Sequence, residues 1–89
     1  MASFAPTVAD VEAAVRSITA SALGIPEVKP DDNLLELGVD SLVATRIVAE
    51  LRTRYLADIP LVEVFESVDV RDFAERVMDL VVEGAEGGA

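Results

Sequence analysis

The chain is short and strongly acidic, with 89 residues, a formal net charge of −10 and 52% apolar residues. This length favours one domain over residues 1–89, and the charge argues against nucleic acid as a partner because its phosphates would be repelled. The chain has no cysteine and no histidine, so it lacks a thiol nucleophile, the commonest general base and the commonest metal ligand. The composition therefore argues against a self-sufficient enzyme.

No apolar run approaches the roughly 18 residues that span a bilayer, and no secretory signal is visible. We therefore expect a cytoplasmic protein without membrane contact, and we expect it to be a monomer.

The charge is unevenly distributed along the chain. Residues 41–56 form a weakly basic island of net charge +2 between acidic segments, with Glu50 against Arg46, Arg52 and Arg54. Arg52 and Arg54 fit either the C-terminal end of a helix or recognition of a partner.

The first predicted helix covers residues 7–23. Thr7 is a good N-cap, and Asp10 completes a capping-box-like pattern three residues later. Gly24 is a suitable C-terminal stop, and Pro26 prevents the helix from continuing. Apolar residues recur between these ends at the spacings of three and four that one helix face requires, at Val8, Val11, Val15, Ile18 and Ala22.

Residues 24–40 form a long connection, which needs apolar anchors in a compact domain. Asp31 or Asp32 is the expected cap of a single helical turn over residues 33–37. A metal site is conceivable from the carboxylates of this region, but solvated loop carboxylates are the more common case, and we predict no metal. The carboxylates concerned are Asp31, Asp32, Glu36 and Asp40. The expected anchors are Ile25, Val28, Leu34, Leu35 and Leu37.

The second long helix is predicted over residues 41–56. Gly38 stops the preceding turn, and Asp40 or Ser41 can cap the new helix. Its buried stripe is expected to contain Ala44, Ile47, Val48, Leu51 and Tyr55. Leu42 and Ala49 fall at an edge of this stripe and are expected to be exposed, with core packing as the alternative for Leu42.

Two further helices are predicted after a break in the pattern. Pro60 suits the first turn of a short helix, and Ser67 or Asp69 can cap a last long one. Phe65 and Phe73 are expected to lie in the core, where they join these helices to the second long helix.

The pattern as a whole predicts an all-α fold. It has no internal repeat and no alternating strand pattern, so we expect a small bundle of three to four helices with a long loop between the first and second. The ordered core is expected to cover about residues 7–82, with loose ends at residues 1–6 and 83–89.

The most informative stretch is residues 37–42, which read Leu-Gly-Val-Asp-Ser-Leu. They place one hydroxyl, Ser41, at a helix N-terminus, where a phosphate is favoured. The stretch, with the acidic residues before it, resembles the attachment site of the acyl and peptidyl carrier protein family, and the similarity covers about residues 7–82. The resemblance implies 4′-phosphopantetheine, transferred from coenzyme A and bound covalently to Ser41, with Asp40 as a flanking residue of the motif.

The resemblance also implies a non-catalytic protein that works with enzymes. A phosphopantetheinyl transferase would modify it, and an adenylating or acyltransferase enzyme would load an amino acid or acyl group as a thioester. Condensing, tailoring or transferase enzymes would act next. The surface around Ser41 is expected to meet these partners through Val39, Leu42, Arg46 and Ala49.

Within the family, the pattern is mixed. The runs at residues 44–46 and 64–66 resemble peptidyl carriers of nonribosomal peptide synthesis, whereas Asp40 before Ser41 resembles acyl carriers of polyketide and fatty-acid synthesis. We favour a discrete peptidyl carrier in natural-product biosynthesis, with an acyl carrier as the alternative; an excised synthase domain would look the same. Two other classes stay open: a helical interaction module in which Ser41 is only a cap, and a regulatory domain phosphorylated at Ser41.

Overall fold

The computed structural model describes residues 6–87, and the side chains of residues 6–84. Of the loose ends predicted at residues 1–6 and 83–89, residues 1–5 and 88–89 lie outside the described part. The described chain is helical throughout apart from its connections, which confirms the all-α prediction. Its helices are α1 (Val8–Leu23), α2 (Leu34–Leu37), α3 (Ser41–Tyr55), α4 (Val62–Glu66) and α5 (Val70–Gly87).

Helix α1 begins and ends as predicted. The Thr7 hydroxyl accepts a hydrogen bond from the Asp10 backbone N–H at 3.1 Å, and the Asp10 carboxylate accepts one from the Thr7 N–H at 3.0 Å. The hydrogen bond from the Thr7 backbone lowers the pKa of the Asp10 carboxyl. At the other end, Gly24 takes the left-handed conformation with φ of 69°, which glycine accepts without strain.

The core lies between the three long helices, because α1 packs against both α3 and α5. Phe73 of α5 is fully buried there, as predicted. Phe65 of α4 is only partly buried and packs against the edge of the core. The predicted core position of Phe65 is therefore confirmed only in part. The other fully buried side chains of the long helices include Val11, Val15, Ile47, Leu51, Val70 and Val77.

The long connection between α1 and α3 is held by buried side chains and by hydrogen bonds. Val28 and Leu34 are buried as predicted, and the Arg16 guanidinium donates to the Val28 carbonyl at 2.7 Å. The prediction that Leu35 enters the core is wrong, since its side chain is exposed. Successive residues of a helix point about 100° apart, so a single turn that buries Leu34 turns its neighbour outward.

The start of α5 is hydrogen-bonded to the middle of this connection. The Val70 N–H donates to the Asp32 carbonyl and the Arg71 N–H to the Pro30 carbonyl, both at 2.9 Å. The Asn33 side-chain amide donates to the Val68 carbonyl at 2.9 Å. These bonds tie the segment before α2 to the start of α5.

Helix α4 is short, and an arginine of α5 holds it. The Arg76 guanidinium lies 3.0 Å from the Glu63 carboxylate and 3.6 Å from that of Glu66, both on α4. It also lies 3.2 Å from Asp72 of its own helix. The hydrogen bond to Glu63 is the main reason that the pKa of Arg76 is raised. Arg76 therefore links α4 to α5.

Helix α5 is capped by Asp69, whose carboxylate accepts from the Asp72 N–H at 2.8 Å. The alternative cap, Ser67, instead donates its hydroxyl to the Glu63 carbonyl. The helix continues to Gly87, beyond the position near residue 82 where the sequence predicts that order ends. Within residues 6–87, no helix has the length and apolarity that crossing a membrane requires.

Candidate functional site

The turn between α2 and α3 brings the candidate serine to the surface. Gly38 ends α2 in the left-handed conformation with φ of 106°, which a residue with a side chain would adopt only under strain. The next N–H, from Val39, donates to the Leu34 carbonyl at 3.1 Å. The Val39 side chain is 3% exposed and belongs to the core, so it pins the turn to the bundle immediately before α3.

Asp40 is the N-cap of α3, which settles an alternative that the sequence leaves open. Its carboxylate accepts a hydrogen bond from the Val43 N–H at 2.9 Å. Its carbonyl accepts from the Ala44 N–H at 2.8 Å and starts the helix. Ser41 is therefore the first residue inside the helix, and its hydroxyl is not used as the cap.

The surroundings of Ser41 suit a phosphate ester. The residue is exposed, and the N–H groups of the first helical turn, including those of Ser41 and Leu42, have no acceptor within the helix. Together with the helix dipole they favour an anion at this end. The Thr45 hydroxyl donates to the Ser41 carbonyl at 2.8 Å, which steadies the backbone below the serine. An accessible hydroxyl beside free donors fits 4′-phosphopantetheine.

The other serines have different surroundings. Ser17 and Ser21 lie on the exposed side of α1, away from any helix N-terminus. Ser67 is buried and bonded to the Glu63 carbonyl. Ser3 lies outside the described residues. Among the described serines, Ser41 alone combines exposure with a helix N-terminus.

Of the four residues predicted to contact partners, three are exposed. Leu42 is 80% exposed, which confirms its predicted exposure and excludes the core alternative. Ala49 and Arg46 are exposed on the same helix. Val39 cannot contribute, because it is buried; the prediction that places it on this surface is wrong. The turn from Gly38 into α3 directs the Val39 side chain into the core, where it is buried.

The charge of Arg46 is partly balanced within α3. Its guanidinium lies 3.4 Å from the Glu50 carboxylate, one turn further along the helix. Such exposed pairs contribute only about 0.3–0.5 kcal/mol, so a partner carboxylate can compete with Glu50 for the guanidinium. The exposed side of α3 therefore carries the apolar side chain of Leu42 and, one turn on, the weakly paired guanidinium of Arg46.

Among the acidic residues of the connection, Asp32 and Asp40 accept hydrogen bonds from the backbone. The Asp32 carboxylate accepts from the Lys29 N–H at 2.8 Å. The cap of α2 is Asn33, whose side-chain oxygen accepts from the Glu36 N–H at 2.9 Å, so the prediction that Asp31 or Asp32 caps this turn is wrong. In the part of the chain that the structure describes, no three His, Cys, Asp or Glu residues are arranged to hold a metal ion.

The sequence does not single out two residues in and beside α3. Thr45 bonds the Ser41 carbonyl, and its spacing of four residues from the serine is the available signal, since threonine in a helix often bonds the carbonyl four residues earlier. Leu56, just after α3, is 90% exposed. No local pattern distinguishes it from a core leucine.

Comparison with known proteins identifies the family. Residues 13–77 match the family described as the phosphopantetheine attachment site. A linear gramicidin synthase subunit from Brevibacillus parabrevis is 40% identical over 66 residues, which are 74% of this chain and 1% of that protein. The phosphinothricin tripeptide synthetase PhsB of Streptomyces viridochromogenes is 39% identical over 67 residues, 75% of this chain and 6% of that protein. The chain thus spans a small part of these relatives. A non-reducing polyketide synthase of Aspergillus calidoustus, 36% identical over 66 residues, is also among the similar proteins.

The fold comparison agrees. The solution structure of an active-site mutant peptidyl carrier protein matches with a TM-score of 0.74 and 26% identity, covering 91% of this chain and 89% of that one. The family carries covalently attached 4′-phosphopantetheine, and its carrier domains act with the partner domains of peptide and polyketide synthesis. Sequence, fold and the exposed serine at the start of α3 lead to one assignment: this chain belongs to the phosphopantetheine attachment site family of carrier proteins.

Proposed function

We propose that this chain holds an amino acid or acyl group as a thioester on 4′-phosphopantetheine attached to Ser41, in the biosynthesis of nonribosomal peptides or polyketides. The observation that carries the proposal is the exposed Ser41 hydroxyl at the N-terminus of α3, in a chain of this family. When bound, the group supplies the terminal thiol that a chain without cysteine lacks.

In this proposal the chain positions the bound group and is recognised by partner enzymes, and it catalyses no reaction itself. Asp40 caps the first turn of α3, and Val39 anchors that turn in the core. Ser41 is consequently presented on a rigid element while its hydroxyl stays accessible. Tethering raises the effective concentration of a bound group at each partner enzyme.

The proposed partners are a phosphopantetheinyl transferase, a loading enzyme of the adenylating or acyltransferase type, and later condensing, tailoring or transferase enzymes. We favour an adenylating enzyme and an amino acid, because the two relatives compared above are named as a gramicidin synthase and a tripeptide synthetase. An acyl group of polyketide synthesis is the alternative, supported by the similarity to a non-reducing polyketide synthase.

The proposed contact surface around Ser41 consists of Leu42, Arg46 and Ala49. Leu42→Ala should slow loading with little loss of stability, since an exposed side chain contributes within about 0.5 kcal/mol. Arg46→Gln is a better probe than Arg46→Glu, which would also place two carboxylates one turn apart with Glu50. We expect Arg46→Gln to slow loading through association, with a smaller effect at high salt. Loading at the wild-type rate by both variants would contradict this surface.

We further propose that residues 1–89 act as one carrier domain, monomeric and in the cytoplasm, where coenzyme A is available. The net charge of −10 supports a function without nucleic acid. The proposal includes no bound metal and no membrane contact.

The attachment residue is tested by incubating the protein with a phosphopantetheinyl transferase and coenzyme A, followed by intact-mass analysis. Wild type and a Ser17→Ala control should gain one phosphopantetheine, and Ser41→Ala should gain none. Modification of Ser41→Ala to the same extent would refute the assignment.

A further inference from the structure

Leu56 follows α3 in a backbone conformation that leucine rarely adopts. Its φ of 54° and ψ of 38° are left-handed, and within the described residues no other non-glycine residue has a positive φ. Its N–H bonds the Arg52 carbonyl at 2.7 Å and closes the helix. This conformation crowds the Cβ atom of an L-residue, a strain that glycine avoids. The turn alone would be better served by glycine.

The backbone turn at Leu56 is needed for the fold, whereas the Leu56 side chain is not packed within this chain. The reversal of direction at Leu56 lets Ala57 and Ile59 enter the core, where both are buried. Leu56 itself is 90% exposed. A single exposed leucine is ordinary, but this one strains the backbone and stabilises neither the core nor the turn. Its side chain is therefore best explained by a contact outside the chain.

The surroundings of Leu56 indicate the chemistry of that contact. Leu56 lines a shallow groove of about 560 Å³ together with Ala49, Arg52, Thr53, Ala57 and Asp58. Arg52 reaches the Asp58 carboxylate only at 3.9 Å, and both side chains are exposed, so this pair is weak. Arg54 is exposed as well, and the ion pairs found among described residues do not include it. Arg54 does not line this groove, which therefore combines the apolar tip of Leu56 with one weakly paired arginine and one aspartate.

We propose that Leu56 is a second docking anchor for the enzyme that loads this carrier, and that the enzyme receives it in an apolar pocket edged by aspartate or glutamate. This inference rests on the function proposed above. Charge complementarity selects the occupant, because residues 41–56 carry a net charge of +2, with Arg46, Arg52 and Arg54 against Glu50, on a chain of net charge −10.

The position of Leu56 explains why a second anchor is useful. Leu56 lies 15 residues from Ser41, which corresponds to about 22 Å along the helix at ~1.5 Å per residue. The contacts proposed above, at Leu42, Arg46 and Ala49, all lie within about two turns at the start of α3 and leave its far end free to swing. A second contact at Leu56 fixes the direction of α3 on the enzyme, and with it the position of Ser41.

The test compares loading kinetics of Leu56→Gly with those of wild type, using holo protein and the enzyme that loads it. Glycine removes the side chain and relieves the strained turn, so the Tm should stay equal or rise. We expect KM to increase about tenfold with kcat retained, since an anchoring leucine loses its burial in the complex. Leu56→Met should load like wild type. Val68→Ala, at a position 71% exposed outside α3, is the matched control and should also load normally.

Three results would overturn the inference. The first is Leu56→Gly loading with the wild-type KM, and the second is a lower Tm for Leu56→Gly, which would mean that Leu56 packs within the chain. The third is a wild-type dimer that Leu56→Gly converts to a monomer, which would make a second copy the occupant. Failure of the proposed function itself is distinguishable, because neither wild type nor Leu56→Gly would then gain phosphopantetheine at Ser41.

Discussion

Replacing Asp40 with alanine should destabilise the domain by about 1 kcal/mol, the usual cost of losing an N-cap side chain. The structure identifies the lost interaction as the 2.9 Å hydrogen bond from the Val43 N–H to the Asp40 carboxylate. For a domain of this size, about 1 kcal/mol corresponds to a decrease in Tm of roughly 4–8 °C. The loosened first turn should also slow modification of Ser41.

Asp40→Asn separates the hydrogen bond from the charge. Asparagine caps a helix about as well as aspartate, but it loses the attraction between the carboxylate and the helix dipole, about 0.3–1 kcal/mol at low ionic strength. Salt screens that attraction. At high salt, Asp40→Asn should therefore melt close to wild type, whereas Asp40→Ala should remain several degrees lower.

Thr7→Ala is the matched control, because it removes the cap of α1 far along the chain from Ser41. Thermal melts followed by circular dichroism give the stability, and intact mass against time gives the rate of modification. Thr7→Ala should lower the Tm similarly but leave modification of Ser41 unchanged. The capping role of Asp40 is refuted if Asp40→Ala loses less than about 0.3 kcal/mol, or if Asp40→Asn is equally destabilised at high salt.

Two further predictions concern stability. Phe73→Ala should cost about 3–5 kcal/mol, a large share of the roughly 4–13 kcal/mol expected for a domain of this size, while the partly buried Phe65 should cost about 1–2 kcal/mol when replaced by alanine. Equal losses in urea unfolding would contradict the structure. The Thr7 backbone lowers the pKa of Asp10, so Asp10 stabilises the fold above its unfolded pKa of about 3.9, and this contribution is lost as the pH falls through the lower folded pKa. Asp10→Asn should remove that part of the acid dependence, which melts at about pH 2–5 would show; an unchanged profile would contradict it.

Features written in local sequence were predictable. The ends of α1 follow from Thr7, Asp10 and Gly24, because capping and left-handed termination depend on residues a few positions apart. The same holds for α3, whose apolar stripe has helical periodicity. The proposed attachment residue, Ser41, follows from the short motif around it and from the resemblance of that motif to carrier proteins.

Features set by tertiary packing were not predictable. Leu35 and Val39 have similar apolar side chains, yet Leu35 is exposed and Val39 is buried, because the path of the long connection decides which of them faces the core. Asp40 and Ser41 are both good caps, so only the structure separates them. The left-handed turn at Leu56 could not be predicted, because no glycine marks it in the sequence.

The most direct test of the carrier function is the intact mass of this protein purified from its native host, with peptide mapping of the modified residue. A carrier should show a phosphopantetheine increment on Ser41, with or without a bound amino acid or acyl group. A phosphate increment on Ser41 would instead support a regulatory domain. An unmodified Ser41 in protein from the native host would contradict the carrier function. The chain would then be better explained as a helical interaction module.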